Sequence, residues 1–268
     1  MANETFTDEA PTRRDVGRMS LANVETGRKR VPVRAMFTGE GGVGKTSLVC
    51  GAPNAIILDV EGGAHQQDVA RFPEVYSWDD VVEAVRVLQT QEHDYKTLIV
   101  DTIDAAELLC QTSVCQHSGW ASMETPGYGR AYKAVHEEWE RFLAELDKLM
   151  SERGVNVLLV AHTQVGVYSN PDGSDYSRHA LKMHKKIAAS VFEWCDVVGY
   201  ISREPIISTS DGKKKAVGTR HLIRFAPGAT YEAKSRYAMP DEIEMPADPA
   251  QNWAVFQAAF AAALKGGN

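Results

Sequence analysis

The sequence contains no apolar run of about 18 residues or more, which is the length that a membrane-spanning helix requires. It has only four cysteines, with no C-x-x-C pair and no histidine partners at zinc-finger spacing. The first residues are acidic and polar, unlike those of a secretory signal peptide. We therefore expect no membrane association and a cytoplasmic location, in which the cysteines stay reduced, buried and structural.

An excess of positive charge is also missing, since the formal net charge is −7. This balance argues against indiscriminate adhesion of the whole surface to nucleic acid, but it leaves room for a local basic groove. The sequence shows no internal repeat. Its length of 268 residues suits one large α/β domain with appendages, and a hydrophobic content of 44% is enough for a real core.

One glycine-rich stretch matches the phosphate-binding pattern G-x-x-x-x-G-K-[ST] at every position. It follows a strand-like segment, 33–38, and precedes a segment, 46–50, that can begin a helix. In this pattern backbone N–H groups cradle the phosphates, the lysine reaches the β- and γ-phosphates, and the threonine hydroxyl holds Mg²⁺. The predicted ATP-binding residues are Gly39, Glu40, Gly41, Gly42, Val43, Gly44, Lys45, Thr46 and Ser47. ATP and Mg²⁺ are the predicted cofactors, and a glycine-rich turn that matches by chance is the alternative.

Strand-like and helix-like segments alternate from residue 31 to about residue 240. Several are near-continuous apolar runs, typical of strands buried on both faces. These strands are 55–59, 97–101 and 155–161, followed by 196–201 and 221–225. Helical spacing occurs at 78–91 and 130–150. The pattern predicts an α/β core over 31–240 with a mostly parallel sheet flanked by helices, preceded by a flexible arm over 1–30 and followed by a linker and an alanine-rich helix over 241–268.

Two acidic residues follow buried strands of the predicted sheet. Asp101 ends the strand 97–101, where a carboxylate can hold the Mg²⁺ shell through water, so we predict Thr46 and Asp101 as the metal-binding residues. Glu61 lies just past the strand 55–59, where a carboxylate can orient and deprotonate an attacking water. Asp59 is the second candidate for this base. Acids that cap a helix or a turn are the alternative reading of both positions.

Together these motifs resemble those of RecA-like recombinases and hexameric helicases, which implies a RecA-like P-loop NTPase core with Glu61 as the catalytic base. The strand 155–161 runs into a polar end at 162–164. The resemblance implies that a residue here senses the γ-phosphate and couples it to a DNA-binding loop. Either His162 or Gln164 can fill that role. A buried, hydrogen-bonded histidine is the alternative for His162.

Lys234 and Arg236 lie two residues apart in a predicted late strand or β-hairpin, so their side chains share one face. The pair looks like the Lys-x-Arg finger that RadA-type and DnaB-type ATPases insert into the site of a neighbouring subunit. Such a finger stabilises charge on the transferring phosphate. An exposed basic strand edge that blocks aggregation is the alternative. The resemblance implies a homo-oligomer, either a ring or a filament.

Further motifs extend the resemblance to phage-encoded, core-only RecA-like ATPases, the Sak-type single-strand annealing recombinases also described as phage nucleotide-binding proteins. The motifs are Asp59-Val60-Glu61-Gly62-Gly63, Gly127-Tyr128-Gly129, His184-Lys185-Lys186, Trp194-Cys195-Asp196-Val197-Val198 and Ala233-Lys234-Ser235-Arg236. This resemblance implies ATP hydrolysis, binding of single-stranded DNA, and annealing or strand pairing. A single-strand-binding protein is a further candidate partner. The helix after the phosphate motif is cut short at 51–53, unlike the long helix of full-length RecA.

Two segments, 118–129 and 165–184, are predicted to be loops and correspond in order to the two DNA-facing loops of the RecA core. Aromatic and basic residues in or beside them supply stacking faces and phosphate partners. The predicted DNA-binding residues are Tyr128, Arg130, Arg178, Lys182, Lys185 and Lys186. The alternative function is a nucleotide-gated switch or partner-loading ATPase without direct DNA contact. A GTPase is not favoured, since the sequence has no Asn-Lys-x-Asp guanine-reading motif.

Overall fold

The computed structural model describes residues 19–27, 29–210 and 213–266. Contacts divide the chain into two units, Met1–Val31 and Pro32–Asn268. The described part of the first unit includes a 3₁₀ turn at Leu21–Asn23. Most of the predicted flexible arm lies outside the described residues. The second unit contains the helices and strands that follow.

The strands of the second unit form a mixed, mostly parallel sheet. They are β1 (Arg34–Gly39), β2 (Ala55–Asp59), β3 (Ala70–Arg71), β4 (Thr97–Asp101), β5 (Asn156–Tyr168), β6 (Tyr176–Leu181), β7 (Val197–Ser210), β8 (Lys213–Arg224), β9 (Lys234–Ser235) and β10 (Glu242–Glu244). The order across the sheet is β10-β8-β7-β1-β5-β4-β2-β3, and the strands from β7 to β3 are parallel. β8 and β10 extend one edge in antiparallel fashion. The predicted mostly parallel sheet is confirmed.

The helices are α1 (Lys45–Cys50), α2 (Trp78–Thr90), α3 (Ile103–His117), α4 (Arg130–Arg153), α5 (Lys185–Trp194) and α6 (Asn252–Gly266). Local chemistry explains several ends. Ser77 and Asp80 form a reciprocal capping box at the start of α2, and Gly154 ends α4 in the left-handed conformation. The helices predicted at 78–91 and 130–150 are therefore confirmed, with α4 slightly longer.

The helices cover both faces of the sheet. Alternate residues of β5 point to opposite faces, so Val157 and Leu159 join one hydrophobic cluster, and Leu158 and Val160 join the other. The first cluster contains α2, α3, α4 and α5, centred on the fully buried Trp139. The second contains α1 and α6. Burial on both faces accounts for the near-continuous apolar strands seen in the sequence.

Within the described residues, none of the helices combines the length and the apolar character needed to cross a bilayer. All four cysteines are free thiols. Cys110 and Cys195 are buried as expected, whereas Cys50 and Cys115 are half-buried.

The composition of the segment 165–184 predicts a long loop, and this prediction is wrong. β5 continues through Tyr168 and pairs antiparallel with β6, which leaves only 169–175 as the connection. The side chains of Val165 and Val167 on this extension are exposed. The backbone N–H and C=O groups of this stretch hydrogen bond to β6, so the strand forms without burial of these side chains. A search for apolar runs therefore does not detect this part of the strand.

The late β-hairpin of the fold is formed by β7 and β8, which pair from Tyr200–Arg224 out to Ser210–Lys213. The segment with Lys234 and Arg236 contributes instead a two-residue strand, β9, which pairs with the beginning of β7. The fold therefore has a late β-hairpin, but the basic pair, which was predicted to lie in a late strand or hairpin, begins in the short strand β9 instead.

Candidate active site

The phosphate motif forms the connection between β1 and α1 at the carboxyl edge of the parallel sheet, where ligands bind in open α/β folds. Gly44 precedes α1 with a φ of 95°, in the left-handed region that favours glycine. At Gly39 a Cβ atom would lie 2.4 Å from the backbone oxygen of Ile201, because β7 passes close to the end of β1. Gly44 is therefore required by its backbone conformation, and Gly39 by the close approach of the neighbouring strand.

Lys45 is buried, with only 5% of its surface exposed. Its Nζ donates to the backbone oxygens of Gly39 (3.1 Å) and Glu40 (2.7 Å), so the side chain curls back along the loop. Burial lowers its pKa, and three carboxylates oppose that change. These carboxylates belong to Asp101, Asp104 and Glu61. The lysine that would hold the phosphates therefore lies within electrostatic range of the predicted metal ligand and the predicted base.

Thr46 and Asp101 lie together, with the Thr46 hydroxyl donating to Asp101 Oδ2 at 2.7 Å. Asp101 is only 3% exposed. Burial raises the pKa of Asp101 to about 6, and the negative charges of Asp59 and Glu61 add to this, while the Thr46 hydrogen bond and Lys45 oppose it. A cation next to this carboxylate would stabilise its charged form.

The donor set fits Mg²⁺, which uses one or two oxygen ligands from protein together with phosphates and water. Among the described residues, no group of three or more His, Cys, Asp or Glu is arranged to hold a metal by itself. Thr46 and Asp101 are thus the residues that would hold the ion together with a nucleotide.

The two acids after β2 have different surroundings. Asp59 accepts hydrogen bonds from the backbone N–H groups of Gly63 (3.1 Å) and Ala64 (2.9 Å), so it stabilises the turn that follows the strand. Glu61 is exposed, and its backbone N–H donates to the backbone oxygen of Asp101. Glu61 therefore lies beside Asp101 and Lys45, and its carboxylate is exposed. Asp59, the second candidate for the base, instead uses its carboxylate in the hydrogen bonds of the turn.

The two candidates for the γ-phosphate sensor, His162 and Gln164, lie at different distances from the phosphate motif. His162 pairs in register with Gly39 at the start of the phosphate motif, and its ring Nδ1 lies 3.0 Å from Asp104 Oδ2. Gln164 lies two residues further along the β5 extension, where it is exposed and pairs with Ala180 of β6. His162 is the residue that the structure places next to the phosphate motif.

Two residues near the site were not identified from the sequence. Asp104, in the first turn of α3, holds His162 but reads in the sequence as an ordinary acid at the start of a helix. His221 packs against the phosphate motif, since a Cβ at Gly44 would lie 3.3 Å from its ring. Burial lowers the pKa of His221. It reaches the site because β8 folds back along β7, which no local pattern indicates.

Lys234 and Arg236 lie at the opposite edge of the sheet. The backbone N–H of Arg236 donates to the oxygen of Asp196, which in turn pairs with Arg34 at the start of β1. Arg34 and Gly39 are five steps apart along β1, a distance of roughly 16 Å at the rise of a parallel strand. Both basic side chains donate to the backbone oxygen of Glu193, which confirms that they share one face. They do not reach the phosphate motif of their own chain.

The predicted DNA-binding residues divide into two groups. Tyr128, Arg130, Lys182, Lys185 and Lys186 are exposed. Arg178 is mostly buried, with 21% of its side chain exposed, and it donates to the backbone oxygen of Tyr231 and lies over the ring of Tyr168. Arg178 is therefore already engaged inside the protein. Arg130, although exposed, donates from Nε to the backbone oxygen of Pro126 at 2.8 Å, and the other four residues can meet a ligand.

The comparison with protein families agrees with an ATPase fold. A family model described as an AAA domain matches residues 31–237. The crystal structure of the RadB recombinase is similar at a TM-score of 0.46 and 12% sequence identity, over 82% of this chain and 90% of that chain. No curated protein matches the sequence significantly.

Proposed function

The chain belongs to the AAA domain family, whose model spans residues 31–237, and from this premise we propose that it is an ATP-dependent recombination protein. In this proposal it binds single-stranded DNA, promotes annealing or strand pairing, and hydrolyses ATP at an interface between copies of itself. The motifs it shares with Sak-type annealing recombinases support this assignment. The alternative is a nucleotide-gated switch that uses the same nucleotide site but makes no contact with DNA.

Hydrolysis is supported by the arrangement around Lys45. The exposed carboxylate of Glu61 lies near the phosphate motif, where it can take a proton from an attacking water. Lys45 can neutralise charge on the phosphates. Mg²⁺, held through Thr46 and Asp101, would supply further charge neutralisation on the β- and γ-phosphates when bound. We expect Lys45→Ala to abolish ATP binding, and retained affinity in an equilibrium binding assay would contradict the assignment.

One observation carries the DNA-binding part of the proposal, namely that the two predicted DNA-facing segments both contact Tyr132 of α4. The ring of His184, at the start of α5, stacks on the ring of Tyr132 in α4 with a centroid distance of 4.6 Å and an angle of 16°. The Tyr132 hydroxyl donates to Glu124 in the segment 118–129 at 3.0 Å. We call the exposed area around this contact the stacking surface, defined by Tyr128, Arg130, Lys185 and Lys186.

The stacking surface offers the two features that single strands require, an aromatic face and cations. Tyr128 is fully exposed. Its φ of 52° is unusual for a residue other than glycine, and the glycines on both sides also have positive φ. A backbone in this rare conformation is a feature of functional sites. Lys185 and Lys186 are exposed in the first turn of α5.

Binding of a labelled single-stranded oligonucleotide at several salt concentrations tests the proposal. The double variant Lys185→Ala/Lys186→Ala should bind more weakly, and its plot of log affinity against log salt should be flatter by about 1.4, because each phosphate contact on a single strand contributes about 0.7. The matched control is Lys96→Ala/Lys148→Ala, which removes two exposed lysines elsewhere.

The control should bind as the wild type does. ATP turnover of the wild type should also rise when the oligonucleotide is added. An unchanged turnover together with no measurable binding would exclude the DNA-dependent function and favour the switch.

A further inference from the structure

Helix α3 begins directly after Asp101 and Thr102, and its first two turns carry two buried carboxylates. Asp104 is 8% exposed and Glu107 is 2% exposed. A buried carboxylate is costly unless it is hydrogen-bonded, so the partners of these two residues are informative. Their hydrogen-bond partners, His162 and His184, lie beside and within the connection between β6 and α5.

Asp104 holds His162 at two points. Its Oδ1 accepts the backbone N–H of His162 at 2.9 Å, and its Oδ2 lies 3.0 Å from the ring Nδ1. The backbone oxygen of His162 in turn accepts the N–H of Lys182 at 2.9 Å. The end of β6 is thus connected through His162 to the first turn of α3, next to the phosphate motif.

Glu107 holds the other end of the same connection. Both of its carboxylate oxygens accept the backbone N–H of His184, at 3.0 and 3.2 Å, and Gln111 donates to one of them at 2.8 Å. Burial raises the pKa of Glu107, which the two hydrogen bonds oppose. Both ends of the segment 182–184 are therefore linked by hydrogen bonds to α3, Lys182 through His162 and His184 directly.

The connection continues to the stacking surface. The ring of His184 lies on Tyr132, whose hydroxyl reaches Glu124, and Lys185 and Lys186 follow His184 directly. On the other side, Asp104 is one of the carboxylates that act on Lys45. The phosphate motif is therefore linked to the stacking surface in three steps: the pairing of Gly39 with His162 in the sheet, the hydrogen bonds of Asp104 and Glu107, and one ring contact.

We propose that Asp104 and Glu107 are positioning residues that couple nucleotide binding to the placement of residues 182–186, Asp104 through His162 and Glu107 through His184. A shift of His162 when a nucleotide binds is passed to the beginning of α5 by the rigid helix that both carboxylates share. The coupling itself depends only on the nucleotide site. Its consequence for single-stranded DNA rests on the proposed function.

Hydrogen exchange measured with and without a non-hydrolysable ATP analogue and Mg²⁺ tests the coupling without any DNA. In the wild type, the analogue should slow exchange both in the phosphate motif and in peptides that cover 182–190. In Glu107→Ala the phosphate motif should respond as before. The response of 182–190 should fall about fivefold or more, the size of a typical coupling between sites.

Three further variants sharpen the experiment. Glu107→Gln keeps an acceptor oxygen for the His184 N–H and should recover at least half of the response. Glu107→Leu removes the acceptor but fills the buried space, and replaces Glu107→Ala if that variant does not unfold cooperatively. Glu138→Ala is the matched control, since it removes a carboxylate that accepts from Trp78 Nε1 between α2 and α4, and it should respond as the wild type does.

Either of two results would overturn the coupling: no response of 182–190 in the wild type, or an undiminished response in both Glu107→Ala and Glu107→Leu. Adding an oligonucleotide in a separate ATPase measurement keeps the two proposals apart. A wild type whose turnover ignores DNA would exclude the DNA function, while the exchange data still decide the coupling. A wild type stimulated by DNA, with normal basal turnover and reduced stimulation in Glu107→Ala, would support both.

Discussion

Asp101 is the residue whose replacement gives the sharpest physical prediction. Its carboxylate is almost fully buried, and the pKa is raised from 3.8 to about 6, chiefly by burial. In the absence of a bound cation, the charged form therefore destabilises the folded protein. Asp101→Asn keeps an oxygen that accepts the Thr46 hydroxyl and removes the charge. We expect this variant to be more stable than the wild type when neither nucleotide nor metal is present.

The size and pH dependence follow from the two pKa values. A change from 3.8 to about 6 corresponds to about 3 kcal/mol at neutral pH. Because the folded state holds the Asp101 proton more tightly, the contribution of this carboxyl to the free energy of unfolding is lost as the pH rises through about 6. The stability difference between Asp101→Asn and the wild type should thus be near zero below about pH 4 and reach its maximum above about pH 6.

Urea unfolding across this pH range, with a chelator and no nucleotide, measures the difference. Asp80→Asn is a control of opposite sign, because the hydrogen bonds of Asp80 to the backbone of Tyr76, to the Ser77 side chain and to the Ser77 backbone lower its pKa, so its replacement should destabilise the protein at neutral pH and matter less in acid. Adding Mg²⁺ and ATP should stabilise the wild type more than Asp101→Asn. A stability difference between Asp101→Asn and the wild type that does not change with pH would contradict the conclusion that burial raises the pKa of Asp101.

Three further predictions concern packing, the finger pair and an ion pair. Gly39→Ala should lower stability by about 2 kcal/mol or more in a thermal melt, because its Cβ would overlap the backbone oxygen of Ile201; unchanged stability would contradict that close approach. Arg236→Ala should keep ATP binding but lose about 10³-fold in turnover, and mixing it with Glu61→Ala should restore part of the rate, since mixed interfaces regain one intact site. A mixture as inactive as its components would argue against a finger acting between subunits. Asp196→Ala leaves two arginine side chains without their buried partner and should cost about 3 kcal/mol in urea unfolding.

The parts of the fold that could be predicted from the sequence are those set by local chemistry. The run ending in Asp101 is apolar because both faces of β4 are buried, so strand and acid are visible together. The start of α2 depends on Ser77 and Asp80, which are only three residues apart in the sequence. The phosphate motif is likewise contiguous, and its backbone geometry requires glycine at positions 39 and 44.

The remaining features depend on contacts between distant segments. Asp104 has the same local appearance whether or not His162 lies opposite it, and 58 residues separate the two. His221 comes to the phosphate motif only because a long hairpin returns along β7. The strand through Val165 and Val167 is exposed and paired only with β6, so burial leaves no pattern in the sequence.

The positions of the nucleotide residues and the finger pair limit how copies of the chain can associate. The phosphate motif lies at the carboxyl edge of the sheet, and Lys234 and Arg236 lie at the amino edge. If the pair of one copy acts on the nucleotide of another, two different surfaces must meet. In a two-fold dimer each contact is made twice, so the basic pair and the phosphate motif would both have to lie within one self-complementary surface, whereas a head-to-tail contact needs no such surface and repeats into a ring or a filament. We therefore expect particles larger than a dimer when the protein is imaged with a non-hydrolysable ATP analogue, and a closed two-fold dimer as the final assembly would contradict a head-to-tail contact through this pair.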